Sequence, residues 1–405
     1  MLRETYVYVH LDPDGWVPAG LLQFEETGRY SSSTFRYGTK YLERPNKLAL
    51  DPIQLPLLEK TFNTPEGFSI FNGIRDAGPD KWGRYLLDKK FARALTELEY
   101  VAATGPDRAG ALGFSDDPAS GPKVYTPSGF QHADAKHLDL ALCVGAIKDI
   151  ETSEETERLK KYLEYGPSMG GARPKATLLW NGKPHLAKFS LSLDSRNEPL
   201  VEFATMTLAQ KCGLKVPPVE TTEAAGRSIY LIERFDRKAN GSPVPFISGL
   251  TITGSHESDY STWSYHALVD AIVKYSSQTE SDLRELFQRM VFNILVYNND
   301  DHLRNFGFLN SGRDRWDLSP LYDVVPANVN SQSYSLAMTI GTEGKKASIT
   351  NAVSQCERFR IEQEEARTMI SKIQEVASSW REHFKSVGIK EGELKALENS
   401  FAEKP

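Results

Sequence analysis

The amino-acid sequence predicts an α+β protein in which a β-rich part precedes a helical part. Residues 166–235 contain, in order, a glycine-containing loop, two strand-like runs, a helical run and two more strand-like runs. After residue 235, apolar residues recur mainly at helical spacing. A chain of 405 residues also exceeds the size at which one hydrophobic core usually suffices. We therefore expect about two or three structural units.

We predict a first domain over residues 1–125 that contains both strands and helices. Residues 4–10 and 16–24 are rich in Val, Tyr and Leu and are bounded by Asp-Gly, which is typical of a hairpin. Residues 80–95 place apolar side chains at helical spacing just after a proline, which favours a helix start. Two further helical segments follow over residues 137–164.

The second predicted domain, residues 126–235, is rich in strands. Its main elements are strands over 175–180 and 185–189, a helix over 200–212, and strands over 216–220 and 228–234. Asn181-Gly182 separates the first two strands and favours a two-residue hairpin turn. Gly213 is a suitable residue to end the helix.

We predict that the third domain, residues 236–405, is all-helical. Its helical segments are 263–276, 280–298, 360–384 and 390–402.

Composition and charge exclude several classes of protein. The chain carries 48 Lys and Arg against 54 Asp and Glu, and a formal net charge of -6 argues against extensive coating of nucleic acid. No run of about 18 apolar residues is present to span a membrane, and the first ten residues lack the apolar region of a secretory signal. Cys143, Cys212 and Cys356 are few, odd in number and far apart, so we expect a cytoplasmic protein without disulfides.

The densest polar cluster spans residues 298–305 and follows an apolar helix. Protein kinases use an Asp followed five residues later by an Asn, the Asp orienting the substrate hydroxyl and the Asn holding Mg²⁺. Asp300 and Asn305 have that spacing, and Asp301 does not. With no second His nearby, His302 is better explained as an orienting or structural residue than as a metal ligand. An ordinary polar turn at the end of a helix is the competing interpretation.

Asp323 lies in an otherwise apolar stretch of sequence, where an unpaired charge is costly to bury. A divalent cation shared with Asn305 would compensate that charge. The alternative is an Asp that caps a turn or pairs with an Arg. The Phe-Gly that follows the metal-binding Asp of common protein kinases is absent here.

Lys188 is an unusual charge inside an apolar strand, which is typical of a phosphate-binding lysine. Residues 168–175 form a loop of small residues before the preceding strand, and their backbone N–H groups are suited to cradle phosphate. This loop is neither a P-loop nor a GxGxxG motif. Glu202, on the following helix, is either a partner of Lys188 or a solvated helix residue.

Residues 232–236 end the last strand of the β-rich domain, where a kinase hinge should contact adenine. An ordinary strand end is the alternative. Together the loop, the Lys strand, the helix, the hinge, the Asp-x4-Asn pair and the final Asp follow the order found in kinases.

The chain resembles a known family, the HipA-type serine/threonine kinases. These are the toxin halves of bacterial toxin–antitoxin pairs. The stretches that carry the resemblance are Gly170-Gly-Ala-Arg-Pro-Lys, Glu233-Arg-Phe-Asp-Arg, Asn299-Asp-Asp-His-Leu-Arg-Asn-Phe and Leu321-Tyr-Asp-Val. The runs that begin at Leu48, Gly78 and Gly105 are similar to the family's amino-terminal subdomain, so the resemblance covers nearly the whole chain. It implies a bilobal, protein-kinase-like fold related to phosphoinositide kinases, with an extra amino-terminal subdomain.

The resemblance also implies roles for individual residues. Asp300 would be the catalytic base, and Asn305 and Asp323 would hold Mg²⁺. Lys188 would contact the ATP phosphates, while Glu233 and Phe235 would supply the hinge. The remaining residues assigned to the ATP site are Gly170, Gly171, Ala172 and His302.

Ser168 matches the position at which members of the family phosphorylate themselves and disable the loop. Arg173-Pro174 stiffens that loop, and Asp301 occupies a position often filled by a small residue. Both departures from the family pattern bear on loop mobility and leave the catalytic groups unchanged.

By resemblance, the partners would be a helix-turn-helix antitoxin of the HipB type, operator DNA through that antitoxin, and a protein substrate. A translation factor or an aminoacyl-tRNA synthetase is the substrate class that the family suggests. Two rival hypotheses remain open: a small-molecule hydroxyl kinase on the same fold, and a catalytically idle co-repressor that binds an antitoxin.

Overall fold

The computed structural model of the chain describes residues 2–28, 30–133, 138–165, 173–327 and 334–401. Four residues assigned from the sequence lie outside these ranges, namely Ser168, Gly170, Gly171 and Ala172.

The amino-terminal segment, residues 2–125, is built on a five-stranded antiparallel sheet with the order β4-β3-β2-β1-β5. Its strands are β1 Glu4–Leu11, β2 Gly15–Thr27, β3 Tyr30–Tyr37, β4 Thr61–Asn63 and β5 Leu112–Ser115. Strands β1 and β2 pair directly, which confirms the predicted hairpin. Val7 and Val9 on one face of β1 are fully buried, and Tyr8 between them is buried on the other face as well.

Four helices accompany this sheet. They are α1 Thr39–Leu42, α2 Asn72–Arg75, α3 Lys81–Phe91 and α4 Glu97–Ala103. The predicted helix over 80–95 is present as α3, but it ends early because Ala92 takes a left-handed conformation with φ of 53°. Thr96 and Glu99 form a capping box that starts α4, each side chain bonding the other's backbone N–H.

A second, four-stranded antiparallel sheet has the order β10-β11-β9-β8. The elements of this region are β6 Val124–Thr126, β7 Gly129–Gln131, α5 Leu140–Thr152, α6 Glu157–Tyr165, β8 Lys175–Trp180, β9 Lys183–Phe189, α7 Glu198–Lys211, β10 Val219–Ala224 and β11 Arg227–Glu233. Asn181 and Gly182 both have positive φ, 51° and 77°, as a two-residue turn of the type I′ class requires. The predicted order of strands and helix is therefore confirmed.

The remainder of the chain is mainly helical. Its elements are β12 Phe246–Ser248, α8 Gly249–Thr253, α9 Tyr265–Tyr275, α10 Thr279–Val296, β13 Gly307–Gly312, β14 Arg315–Leu318, α11 Ile349–Val353, α12 Gln363–Ser378, α13 Trp380–Ser386 and α14 Glu391–Leu397. Among the described residues of this region, three short 3₁₀ helices occur as well, over Leu303–Asn305, Cys356–Phe359 and Glu398–Ser400.

The prediction that residues 236–405 are all-helical is wrong. Strands β12, β13 and β14 form a three-stranded antiparallel sheet in this region. The strands are only three to six residues long and β12 pairs with a distant part of the chain. Such short runs carry too few residues for their periodicity to be recognised. The boundaries placed after residues 125 and 235 stay predictions.

Helix α10 lies at the centre of the packing that supports the cleft described below. It buries side chains around most of its surface, including Leu286, Phe287 and Met290. One continuous hydrophobic cluster runs from the five-stranded sheet through α10 to α14. A second cluster joins the four-stranded sheet to α5, α6 and Leu86 of α3. The amino-terminal segment is therefore packed against both other parts of the chain.

Two expectations from composition can be compared with the structure. Cys143, Cys212 and Cys356 are all free thiols. Among the residues described, no helix combines the length and the apolar character needed to cross a bilayer.

Candidate active site

A cleft of about 670 Å³ opens where the four-stranded sheet, the loop after α10 and the amino-terminal segment meet. This volume is in the range of small-molecule and nucleotide sites. Seven of the residues assigned from the sequence line it, namely Lys188, Glu233, Phe235, Asp300, His302, Asn305 and Asp323.

Lys188 connects the two sides of the cleft. It lies on β9, and its Nζ donates to Oε1 of Glu202 on α7 and to Oδ1 of Asp323, each at 2.6 Å. Glu202 is buried and Asp323 is 39% exposed. Of the two sequence interpretations of Glu202, the structure therefore shows the partner of Lys188 rather than a solvated glutamate.

The charges in this triad stabilise one another. Burial alone would lower the pKa of Lys188, but the carboxylates of Asp323 and Glu202 raise it above its usual range. The positive charge of Lys188 holds the pKa of Asp323 well below its usual range, against the opposite effect of its partial burial. Burial raises the pKa of Glu202, and Lys188 opposes that shift. At neutral pH Lys188 is therefore a cation and Asp323 an anion.

Lys175 is a second lysine in the cleft that the sequence did not single out. It is directly opposite Lys188 in the pairing of β8 with β9, and it is only 6% exposed. Burial and the neighbouring charge of Lys188 lower its pKa to about 8. Within the described part of the chain, no hydrogen bond or ion pair to its Nζ is found. The sequence feature that could have indicated Lys175 is its position at the start of the apolar strand Lys175–Trp180.

The loop after α10 begins with a left-handed residue, Tyr297, at φ of 50°. Asn305 Nδ2 donates to the carbonyl oxygen of Asp300 at 2.7 Å, which closes the loop and leaves Asn305 Oδ1 as an available oxygen. The Asp300 side chain is 77% exposed and lies 3.6 Å from Nε2 of His302. Partial burial in the cleft raises the pKa of Asp300 and Asp323 adds to the shift, while His302 and Lys81 oppose it.

Asp301, by contrast, is fully buried and anchors the loop. Its carboxylate accepts hydrogen bonds from the Tyr265 hydroxyl at 2.7 Å and from the Ala337 amide at 2.6 Å. Burial raises its pKa to about 7. The acidic residue that departs from the family pattern is thus directed into the core, away from the cleft side chains.

The oxygen atoms at this end of the cleft fit a magnesium ion. Asn305 offers Oδ1, and Asp323 offers the carboxylate oxygen that does not contact Lys188. Hard oxygen donors of this kind suit Mg²⁺, which commonly takes one or two protein ligands and completes its shell with phosphates and water. Asp323 has a left-handed backbone with φ of 60°, a conformation that Asp tolerates better than most residues.

Glu233 and Phe235, which the resemblance assigns to the hinge, also line the cleft. The ring of Phe235 packs against Tyr322 at 5.5 Å and Phe246 at 6.4 Å between ring centroids. Glu233 turns its carboxylate outward to Lys183, 2.8 Å away. In the described residues, the Phe235 amide has no hydrogen-bond partner.

A buried ion cluster fixes this hinge to the amino-terminal segment. Arg234 contacts Asp236 at 2.8 Å and Asp107 at 2.7 Å, and the Gly110 amide donates to Asp236 at 2.9 Å. The two arginines beside Asp236 lower the pKa of that carboxyl to about 2 although it is buried. The contacts of Arg234 with Asp107 and of Asp236 with Gly110 join residues more than a hundred positions apart, so no local sequence pattern indicates them.

The amino-terminal segment also supplies a wall of the cleft that the sequence did not assign to the site. The residues that form this wall are Arg75, Asp76, Gly78, Asp80, Lys81, Arg84 and Ala109. The motif that begins at Gly78 could have indicated this wall, because it resembles the family although no chemical role was assigned to it.

Comparisons with known proteins agree with this architecture. The chain superimposes on the HipA chain in a solved complex of Shewanella oneidensis HipA with HipB and operator DNA, with a TM-score of 0.68 and 17% identity. The superposition covers 98% of this chain and 95% of that one. The fold is therefore that of the HipA chain in this complex.

A family model described as the HipA-like C-terminal domain matches residues 167–380. This chain belongs to that family.

Two curated relatives show the extent of sequence similarity. A protein of Haemophilus influenzae named "Putative kinase" is 26% identical over 218 residues, which is 47% of this chain and 63% of the relative. The protein named "Serine/threonine-protein kinase toxin HipA" of Shewanella oneidensis is 24% identical over 208 residues, 44% of this chain and 47% of that one. The matches span less than two thirds of either relative.

The Lys188 triad yields a prediction that does not depend on catalysis. Lys188→Ala leaves two neighbouring carboxylates without their cation, so the free energy of unfolding at pH 8 should fall by about 2 kcal/mol. The loss should be smaller at pH 5, because protonation of one carboxyl relieves the repulsion. Urea denaturation at both pH values measures the effect.

Lys183→Ala is the matched control, because it removes an ion pair of an exposed lysine on the same strand. Its effect should stay below about 1 kcal/mol at either pH. An equal loss at pH 5 and pH 8 for Lys188→Ala would contradict the electrostatic interpretation of the triad.

Proposed function

We propose that the chain is an ATP- and Mg²⁺-dependent serine/threonine protein kinase of the HipA toxin type. The observation that carries this proposal is the contact of Lys188 with both Glu202 and Asp323 beside the loop of Asp300 and Asn305. A lysine, its glutamate partner, a metal-binding aspartate and an Asp-x4-Asn loop in one cleft form the set of parts used by protein kinases.

ATP would lie along the cleft, with its base at the hinge. The aromatic rings of Phe235, Tyr322 and Phe246 offer an apolar surface for adenine, and the Phe235 amide offers a donor. The phosphates would meet the ammonium groups of Lys188 and Lys175. We assign Gly170, Gly171 and Ala172 to the loop that covers the phosphates, and Glu233 and His302 to the same nucleotide site.

Asn305 and Asp323 would hold Mg²⁺ through their oxygens. When bound, the ion supplies positive charge that stabilises the phosphates during transfer. Asp323 is prepared for this role because Lys188 keeps it ionised. Lys188 can turn from Asp323 toward phosphate oxygens while Glu202 keeps its head group in place.

Asp300 would act on the hydroxyl of the acceptor. Its exposed carboxylate accepts the hydroxyl proton as the acceptor oxygen forms a bond to the γ-phosphorus. The bond between that phosphorus and the bridging oxygen of ADP breaks in the same transfer. The loop geometry held by Asn305 and Asp301 fixes where Asp300 meets the hydroxyl, so positioning supplies much of the rate.

The acceptor and the partners extend the proposal. We assign Ser168 as the autophosphorylation site and a translation-related protein, such as an aminoacyl-tRNA synthetase, as the substrate. A helix-turn-helix antitoxin of the HipB type would neutralise the chain and link it to operator DNA. The HipA chain that this protein superimposes on was solved with HipB and operator DNA, which supports the partner class.

The first test concerns Asp300. Asp300→Asn should reduce transfer of labelled phosphate from ATP to protein by at least about a hundredfold, because the amide cannot accept the hydroxyl proton. The thermal melting temperature should stay nearly unchanged, since this side chain is exposed and, within the described part of the chain, makes no buried hydrogen bond.

Asn299→Ala, the exposed neighbour of Asp300, is the control and should keep its activity. Label that remains in protein with Asp300→Asn would show that another residue is the base. Label that appears in a metabolite of a cell extract, with none in protein, would favour a small-molecule kinase.

The second test concerns Lys175 and pH. Its pKa of about 8 means that the free amine loses its charge as pH rises through 8. ATP phosphates would raise that pKa, so nucleotide binding near pH 8 should take up a proton and the affinity should fall about tenfold by pH 9.5. Calorimetry of ATP with Mg²⁺, in buffers of different ionisation enthalpy, measures both quantities.

Lys175→Arg keeps its charge at these pH values, so its affinity should depend less on pH, whereas Lys183→Arg should behave as wild type. No proton uptake by the wild-type chain near pH 8 would rule out Lys175 as a phosphate ligand. This readout does not require the Lys175 variant to fold.

A further inference from the structure

The amino-terminal segment contacts the catalytic loop through a network of ion pairs. Arg304, which lies in that loop between His302 and Asn305, contacts Asp80 at 2.9 Å and Glu257 at 3.2 Å. Arg75 contacts Glu257 at 3.1 Å and Asp80 at 3.8 Å. Asp80 and Arg75 belong to the amino-terminal segment. The loop that contains Arg304 is therefore held by residues from a distant part of the chain.

The network continues into the packing of that segment. Glu97 contacts Arg75 at 3.3 Å and receives two hydrogen bonds from Arg84, at 2.5 and 2.6 Å. Three arginines therefore face three carboxylates. Because Arg75 and Arg304 are only 17% and 15% exposed, loss of one carboxylate leaves a positive charge that water compensates poorly.

Arg304 joins two parts of the proposed catalytic apparatus. Its side chain reaches Asp80, and its carbonyl oxygen accepts a hydrogen bond from the Tyr322 hydroxyl at 2.9 Å. Tyr322 directly precedes Asp323. A displacement of Arg304 would therefore move the loop of Asp300 and Asn305 relative to Asp323.

The residues next to Asp80 reach other walls of the same cleft. Lys81 lines the cleft, and its charge opposes the rise in the pKa of Asp300. The indole N–H of Trp82 donates to the Tyr162 hydroxyl at 3.3 Å, and that hydroxyl donates to the carbonyl of Lys175 at 3.0 Å. One turn of the amino-terminal segment thus touches both the catalytic loop and the first strand of the nucleotide site.

We propose that Asp80 is a positioning residue for phosphate transfer, which holds the catalytic loop through Arg304. The amino-terminal segment would then contribute to phosphate transfer by holding the loop that contains Asp300 and Asn305. This inference rests on the proposed kinase function for its effect on rate, but the contact between Asp80 and the loop can be tested without it.

The experiment compares three variants of the full chain. Asp80→Asn removes the charge and keeps a residue suited to the N-cap position of α3, where the Asp80 side chain accepts no capping hydrogen bond. Asp80→Glu keeps the charge. Asp12→Asn is the matched control, since Asp12 pairs with Lys238 and so also joins the amino-terminal segment to the rest of the chain, away from the catalytic loop.

Two readouts are needed. In phosphate transfer, Asp80→Asn should lower kcat about tenfold, since small displacements of reacting groups are costly, while the Kd for ATP with Mg²⁺ changes less than about twofold. In hydrogen–deuterium exchange, amides of residues 298–306 should exchange several-fold faster, as expected for a loop that opens more readily. Asp80→Glu should recover most of both losses, and Asp12→Asn should match wild type.

The outcomes separate the two proposals. If Asp80→Asn and Asp12→Asn behave alike in both rate and exchange, Asp80 does not position the loop. If the wild-type chain transfers no phosphate, the proposed function fails, and exchange alone decides: faster exchange in residues 298–306 with Asp80→Asn supports the positioning role, and unchanged exchange overturns it.

Discussion

The placement of Lys188 between Glu202 and Asp323 is the interaction on which the site depends. These residues come from a strand, a helix and a distant loop, and their contacts bring the four-stranded sheet against the segment that follows β14. A buried lysine is costly unless it is paired, and here two carboxylates compensate it. The same pairing keeps Asp323 ionised, so one set of charges joins the walls of the cleft and, in the proposed function, prepares Asp323 to hold a cation. The two carboxylates differ in exposure: Glu202 is buried, whereas Asp323 is 39% exposed to the cleft, where in the proposed function it would exchange Lys188 for a metal ion.

The amino-terminal segment contributes more to this cleft than a separate domain would. Its hydrophobic core is continuous with that of the helical part, and its polar residues reach the hinge through Asp107 and the catalytic loop through Asp80. Both contacts are made by arginines of the other parts, Arg234 and Arg304. The hinge and the catalytic loop are the two places where a kinase must hold nucleotide and acceptor in register. A segment that holds both is well placed to set their relative position.

Much of this arrangement could be predicted from local sequence, and the rest could not for identifiable reasons. The hairpin at Asn181-Gly182 follows from the turn preferences of these two residues. Lys188 and Asp323 stand out because a charge in an apolar stretch of sequence is costly to bury without a partner. The Asp300 and Asn305 pair follows from its spacing. Lys175 was not recognised because it is the first residue of its strand, where a charge is ordinary, whereas Lys188 lies inside the neighbouring apolar strand. The role of Asp80 and the strands β12 to β14 depend on contacts between distant parts of the chain, which no local pattern encodes.

A crystal structure with a non-hydrolysable ATP analogue and Mn²⁺ would test the central claim most directly. We expect an anomalous Mn²⁺ peak beside the Asn305 and Asp323 side-chain oxygens, with Lys188 turned to the phosphates and still bonded to Glu202. The adenine should lie against Phe235. A nucleotide bound outside this cleft, or a Mn²⁺ peak with no contact to Asn305 and Asp323, would contradict the account.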